Sequence, residues 1–170
     1  MRTLNLFSVV MLLAGLVFFT SCKKEGPMGP QGPAGKDGNA NVTSITYTIS
    51  SWDTDNTIWY KDIIDSRITN SILENGDVRV FLESPAQSNV WLNMPFISPH
   101  NNYFTTYNYN VGLNVIRVVI YDSDGLLPAQ PSSMRIKVVV IDGVSLAKAK
   151  KANIILNNYE SLKNFFDIKD

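Results

Sequence analysis

A chain of 170 residues that balances 15 lysines and arginines against 15 aspartates and glutamates has no basic excess to neutralise a phosphate backbone, which sets nucleic acid aside as a partner. One cysteine, Cys22, and one histidine, His100, exclude an internal disulfide and a His- or Cys-rich metal cage, so neither a metal nor another cofactor is expected. From the N-terminus, Arg2 is followed by an apolar run over residues 6–18. That run has signal-peptide length and falls short of the ~20 apolar residues a membrane-spanning helix needs. Residues 1–21 read as a removable leader.

The leader ends Phe19-Thr20-Ser21-Cys22, a thiol directly after two small residues. This ending resembles the bacterial lipobox, in which the cysteine receives lipid and becomes the first residue of the mature protein; Phe19 stands where that pattern prefers Leu. The resemblance implies lipidation of Cys22 and attachment to the membrane. Each buried methylene contributes ~0.8 kcal/mol, so several acyl chains make a lasting anchor. The next residues, Lys23-Lys24-Glu25, resemble the charged tag that sends lipoproteins of Bacteroidetes-type bacteria to the outer membrane, often to its outer face.

Glycine then recurs at 26, 29, 32, 35 and 38, five Gly-X-Y triplets in unbroken register over residues 26–40. With Gly at about 7% of residues in ordinary proteins, such a register is not accidental. Glycine at every third position is what a triple helix demands, because only Gly fits its crowded axis, and Pro27, Pro30 and Pro33 pre-form the extended backbone. Two readings stand: a collagen-like stalk joining three chains into a homotrimer, or a single-chain spacer reaching roughly 45 Å. Cys22, its charged neighbours, the triplets and the closing Gly35-Lys36-Asp37-Gly38-Asn39-Ala40-Asn41-Val42 resemble the collagen-like-repeat surface lipoproteins of the Bacteroidetes type. The resemblance covers residues 19–42 and implies a compact β-rich domain after the triplets, with no catalytic residues to carry over.

Beyond residue 42 the pattern changes to period two. Ile45, Tyr47 and Ile49 alternate with Thr46, Thr48 and Ser50, a half-buried strand. Further strands are predicted over 57–64, 78–83, 90–94, 103–111, 115–121 and 134–141. Val78, Val80 and Leu82 share one face of their strand, Tyr103, Thr105, Tyr107 and Tyr109 one face of theirs, and Pro95 stops the strand that begins at Val90. The strands 115–121 and 134–141 are apolar on both faces and belong in the middle of sheets. Thr69 or Asn70 can cap a turn or two of helix that Gly76 ends. Residues 145–151 suit a short helix displaying Lys148, Lys150 and Lys151, a solvated face first and a contact to anionic lipid or polysaccharide second. Asn157 and Glu160 have capping-box spacing, and Tyr159, Leu162, Phe165 and Phe166 recur at helical intervals, which predicts a terminal helix docked by its aromatic face. The expected fold is mainly β: an antiparallel β-sandwich of jelly-roll or Greek-key kind over 42–170, closed by a short C-terminal helix and preceded by the leader, 1–21, and the lipidated spacer, 22–41.

Trp52, Trp59, Trp91, Tyr107 and Tyr109, with Tyr60 and Tyr103 nearby, are the candidate ligand-binding residues, since flat aromatics suit the apolar face of a sugar ring; the same residues are favoured in strands and cores. Asp53-Thr54-Asp55-Asn56 and Asp122-Ser123-Asp124-Gly125 offer alternating oxygens that calcium accepts, but turn chemistry accounts for both. Asp62 with Asp65, or Glu74 with Asp77, are the carboxylate pairs that acid-base chemistry would use, and a hydrolase would need His100 to meet a carboxylate and a hydroxyl. No nucleophile elbow or phosphate-cradling loop accompanies them, so no catalytic residue is assigned. The expectation is a membrane-anchored lipoprotein of the cell envelope and outer membrane, structural or adhesive, with a protein or glycan partner. The alternative is a carbohydrate-binding accessory lipoprotein.

Overall fold

The computed structural model describes residues 41–169; the leader, Cys22 and the Gly-X-Y triplets lie outside them. Among the described residues the elements are β1 (Val42–Ile49), β2 (Asp53–Thr54), β3 (Ile58–Ile64), α1 (Asn70–Asn75), β4 (Asp77–Glu83), β5 (Trp91–Asn93), β6 (Phe96–Pro99), β7 (Phe104–Gly112), β8 (Val115–Asp122), β9 (Met134–Ile141), α2 (Gly143–Lys151) and α3 (Tyr159–Phe166). They form two antiparallel sheets, in the order β1-β9-β4-β5 and β2-β3-β8-β7-β6, an arrangement consistent with a β-sandwich.

The alternation along β9 explains how the layers stack. In register with β4, Ile136, Val138 and Val140 lie beside Leu82, Val80 and Val78. These six share a core with Ile63, Ile116, Val118 and Ile120 of the second sheet. The intervening Val139 and Ile141 point the other way, with Phe81 and Val42, and are covered by Leu146 and Ala149 of α2 and Leu162 and Phe166 of α3. The four-stranded sheet is therefore buried on both faces along part of its length, while the helices leave another part open. Full burial of each Val, Ile or Leu contributes about 1.5–3 kcal/mol, so the two cores dominate the stability.

The two most apolar strands, β8 and β9, occupy interior positions in their sheets, as their sequences predict. The short helix is also where its caps place it: Thr69 Oγ1 accepts from the Ile72 backbone N–H, and the Gly76 N–H closes the last turn on the Ile72 carbonyl at 2.9 Å. A Cβ at Gly76 would collide with the Ile141 carbonyl oxygen. Other details differ from expectation. Two short strands, β2 and β6, were not predicted; both are sheet edges, where two to four residues suffice and Pro99 is tolerated. Tyr103 falls one residue before β7, where its ring stacks on His100 at 4.5 Å. The cap of α3 is Asn158, whose side chain accepts from Ser161 N at 2.9 Å, and Asn157 instead accepts from Arg79 Nη1 at 2.7 Å. That register turns Tyr159, Leu162 and Phe166 inward and leaves Phe165 40% exposed.

One buried ion pair ties the end of β3 to β1. Asp65, 3% exposed, receives Arg67 Nε at 2.8 Å and the Arg67 backbone N–H at 3.1 Å. The same guanidinium donates to Thr43 Oγ1 at 3.1 Å.

Candidate functional site

The candidate aromatics do not form one platform. Trp52 is 8% exposed and belongs to the core between the sheets. Trp59, Tyr107 and Tyr109 are half-buried against that same core. Trp59 Nε1 donates to the Pro128 carbonyl at 2.9 Å, and the Tyr109 hydroxyl donates to the Val78 carbonyl at 3.1 Å. Burial raises both tyrosine pKa values, helped at Tyr107 by the negative charge of Asp122. These four side chains pack between the sheets, and Trp91 stands apart on the helix side of the four-stranded sheet.

Trp91 lines a cleft of ≈ 420 Å³ that Asn89, Thr46 of β1, Arg135 and Lys137 of β9, and Glu160 and Lys163 of α3 complete. The pleat explains the gathering. Positions 135 and 137 are two apart and point to the same side of β9, the side whose continuation, Val139 and Ile141, is covered by the helices. Across the sheet Thr46 lies opposite Lys137, while Trp91 lies opposite Glu83. The polar half of this face is thus left as a recess beside α3.

The two β9 cations of the recess are held by named partners. Arg135 Nη1 meets Glu83 Oε1 at 2.7 Å, and the Glu83 carboxyl also accepts the Asn89 backbone N–H at 2.8 Å. The Asn89 hydrogen bond first, and the Arg135 charge with it, hold the Glu83 pKa below the ordinary carboxylate value. Lys137 is only 4% exposed; its Nζ donates to the Tyr159 hydroxyl at 3.0 Å and sits 4.5 Å from the Trp91 ring centre and 4.3 Å from that of Tyr159. Arg135 Cζ lies 5.6 Å from the Trp91 centre, and the Tyr159 ring meets Trp91 edge-on at 6.1 Å. The outcome is a concave surface of one indole, three cations and one carboxylate. Such a surface can pack a flat apolar group while binding negative charge.

Arg135 and Lys137 were not among the candidates from sequence. The signal was present, because two cations alternate inside an otherwise apolar strand, and a charge that faces a core needs a partner or an opening. A second, wider trough of ≈ 750 Å³ runs between α1 and α2 past Ser71, Asn75, Asp142, Lys148 and Lys151. Its carboxylate already caps α2 by accepting from Ser145 N at 2.7 Å, and no aromatic lines it.

His100 meets a hydroxyl, and that hydroxyl in turn meets a carboxylate. Thr105 Oγ1 donates to Asp122 Oδ1 at 2.6 Å, and His100 Nε2 lies 3.1 Å from Thr105 Oγ1. The hydroxyl thus lies between histidine and carboxylate, whereas the Ser-His-Asp arrangement places the histidine between hydroxyl and carboxylate. Of the other named carboxylates, Asp62 is engaged by Arg117 at 2.7 and 2.6 Å, Asp77 by Arg79 at 2.8 Å and Asp65 by Arg67. In the two aspartate-rich loops, Asp55 Oδ1 accepts the Thr57 and Ile58 backbone N–H groups, and Asp124 Oδ1 accepts that of Leu126. The chain matches no family model, no curated protein and no solved structure.

Proposed function

We propose that this chain is a cell-envelope lipoprotein, anchored in the outer membrane through lipid on Cys22, that presents its β-rich domain on the 26–40 triplets in a structural or adhesive role without catalysis. What carries the reading is the stretch 19–42, in which Thr20-Ser21-Cys22 at the end of an apolar run is followed by Lys23-Lys24-Glu25 and then an unbroken Gly register. A lipid anchor and an extended connector have one shared use, to hold a folded domain at a distance from a membrane, facing a protein or glycan. If the triplets wind into a homotrimer, three weak sites act together and avidity replaces single-site affinity. The finer topology belongs to the same reading: pairing of β1 and β4 with β9, far away in sequence, suits long Greek-key or jelly-roll connections.

The test is metabolic labelling with a palmitate analogue followed by membrane fractionation. The intact chain is expected to carry label and sediment with outer membranes, and Cys22→Ser to lose both. Label or sedimentation that survives the substitution would sink the anchor at Cys22.

A second reading, a carbohydrate-binding accessory lipoprotein, is favoured by one observation: of the five candidate aromatics, Trp91 lies in a recess together with several polar groups, the usual composition of a small-ligand site.

A further inference from the structure

The Trp91 recess also limits what kind of sugar it suits. Three cations, Arg135, Lys137 and Lys163, line it against two carboxylates, Glu160 in the lining and Glu83 paired with Arg135. We propose that it binds a sugar bearing a carboxylate, the pyranose packed against the Trp91 indole and the acid group received among Arg135, Lys137 and Lys163. This proposal rests on the glycan reading and adds the charge of the ligand.

Three features carry it. Lys137 places an ammonium at the base of the recess while 4% exposed, where the low dielectric strengthens its attraction for an anion relative to a surface lysine. Arg135 is oriented in advance by Glu83, so its planar group need not be ordered when an acid arrives, and a guanidinium fork matches a carboxylate. Trp91, flanked by Tyr159 and by both β9 cations, supplies a fixed apolar wall beside them. A neutral sugar reaching the same wall offers those cations only neutral oxygen acceptors, whose hydrogen bonds are weaker than those of a carboxylate, so the site favours the acid.

The experiment uses the full chain in detergent micelles, titrated by calorimetry with short oligomers of galacturonate, glucuronate and sialic acid, each beside its neutral methyl ester. At least one acid is expected to bind, with its ester at least about tenfold weaker, as the loss of one charge-assisted hydrogen bond implies. Arg135→Gln and Lys163→Gln are each expected to weaken the acid by about tenfold and leave the ester unchanged. Far-UV circular dichroism checks the fold of both, and Lys163→Gln decides the matter if Arg135→Gln does not fold. An ester that binds as tightly as its acid overturns the charge preference and leaves the glycan reading standing. Failure of every acid and every ester to bind overturns both. An acid that binds but ignores the two substitutions is binding elsewhere, and the recess loses its assignment.

Discussion

At Asp65 two effects oppose each other, and their balance sets a pH dependence. Burial pushes its carboxyl pKa up, while the side-chain and backbone hydrogen bonds and the charge of Arg67 pull it down; the pull wins, and the pKa lies below the ordinary value. A carboxyl with a lowered folded-state pKa contributes stability that is complete above the unfolded value, about 3.9, and lost as pH falls below it toward the folded pKa. Asp65→Ala is therefore expected to lower stability at neutral pH by about 3 kcal/mol, the low end for breaking a buried pair because Arg67 keeps some exposure, and to flatten the acid limb of a urea-midpoint versus pH plot. Asp62→Ala is the control. Its partner Arg117 and its own side chain are 49% and 40% exposed, so a loss within about 1 kcal/mol is expected. Equal losses at the two sites would show that burial does not set the strength of the Asp65 pair. None of this was legible beforehand, since Asp62 and Asp65 look alike in sequence and differ only in what surrounds them.

Among the elements, α1 shows how far local signals reach. Thr69 and Gly76 mark the helix in sequence, and both take those roles. The need for glycine at 76 has a further cause that a C-cap argument does not contain: the Ile141 carbonyl of β9 occupies the space of a Cβ. Because that obstacle is backbone, it cannot swing aside. Gly76→Ala is expected to lower the thermal midpoint, with a loss of about 1–3 kcal/mol as for other overpacked sites, whereas a position needing only a helix terminus would tolerate alanine. An unchanged midpoint would show that α1 and β9 can separate without loss. The cap of α3 carries the same lesson in reverse, because Asn157 and Asn158 are both competent caps and only the docking of Tyr159 against Phe81 and Trp91 selects the second.

For the whole molecule the open choice is between stalk and spacer, and mass decides it. Light scattering on a soluble piece spanning 23–170, beside one spanning 41–170, separates the readings. The collagen-like reading expects three chains in the longer piece and one in the shorter, with the longer losing its trimer on warming as the triple helix melts. One chain in both makes the triplets a spacer for a single recess, and multivalent display then has no basis. Three chains in both would place trimerisation in the β-rich domain and remove the triplets' part in it.

By itself the amino-acid sequence determined whatever depends on near neighbours. The triplet register, the alternating strands, the Thr69 and Gly76 signals and the interior character of β8 and β9 all follow from residue type at short spacing, because backbone propensity and side-chain direction repeat every two, three or 3.6 residues. Only the tertiary structure decided which aromatics face which layer. Trp52, Trp59, Tyr107 and Tyr109 pack between the sheets, and Trp91 meets Arg135, Lys137, Glu160 and Lys163 across β5, β9 and α3. That meeting depends on strand pairing and on where the helices stop covering the sheet, contacts among residues tens of positions apart that no local period encodes.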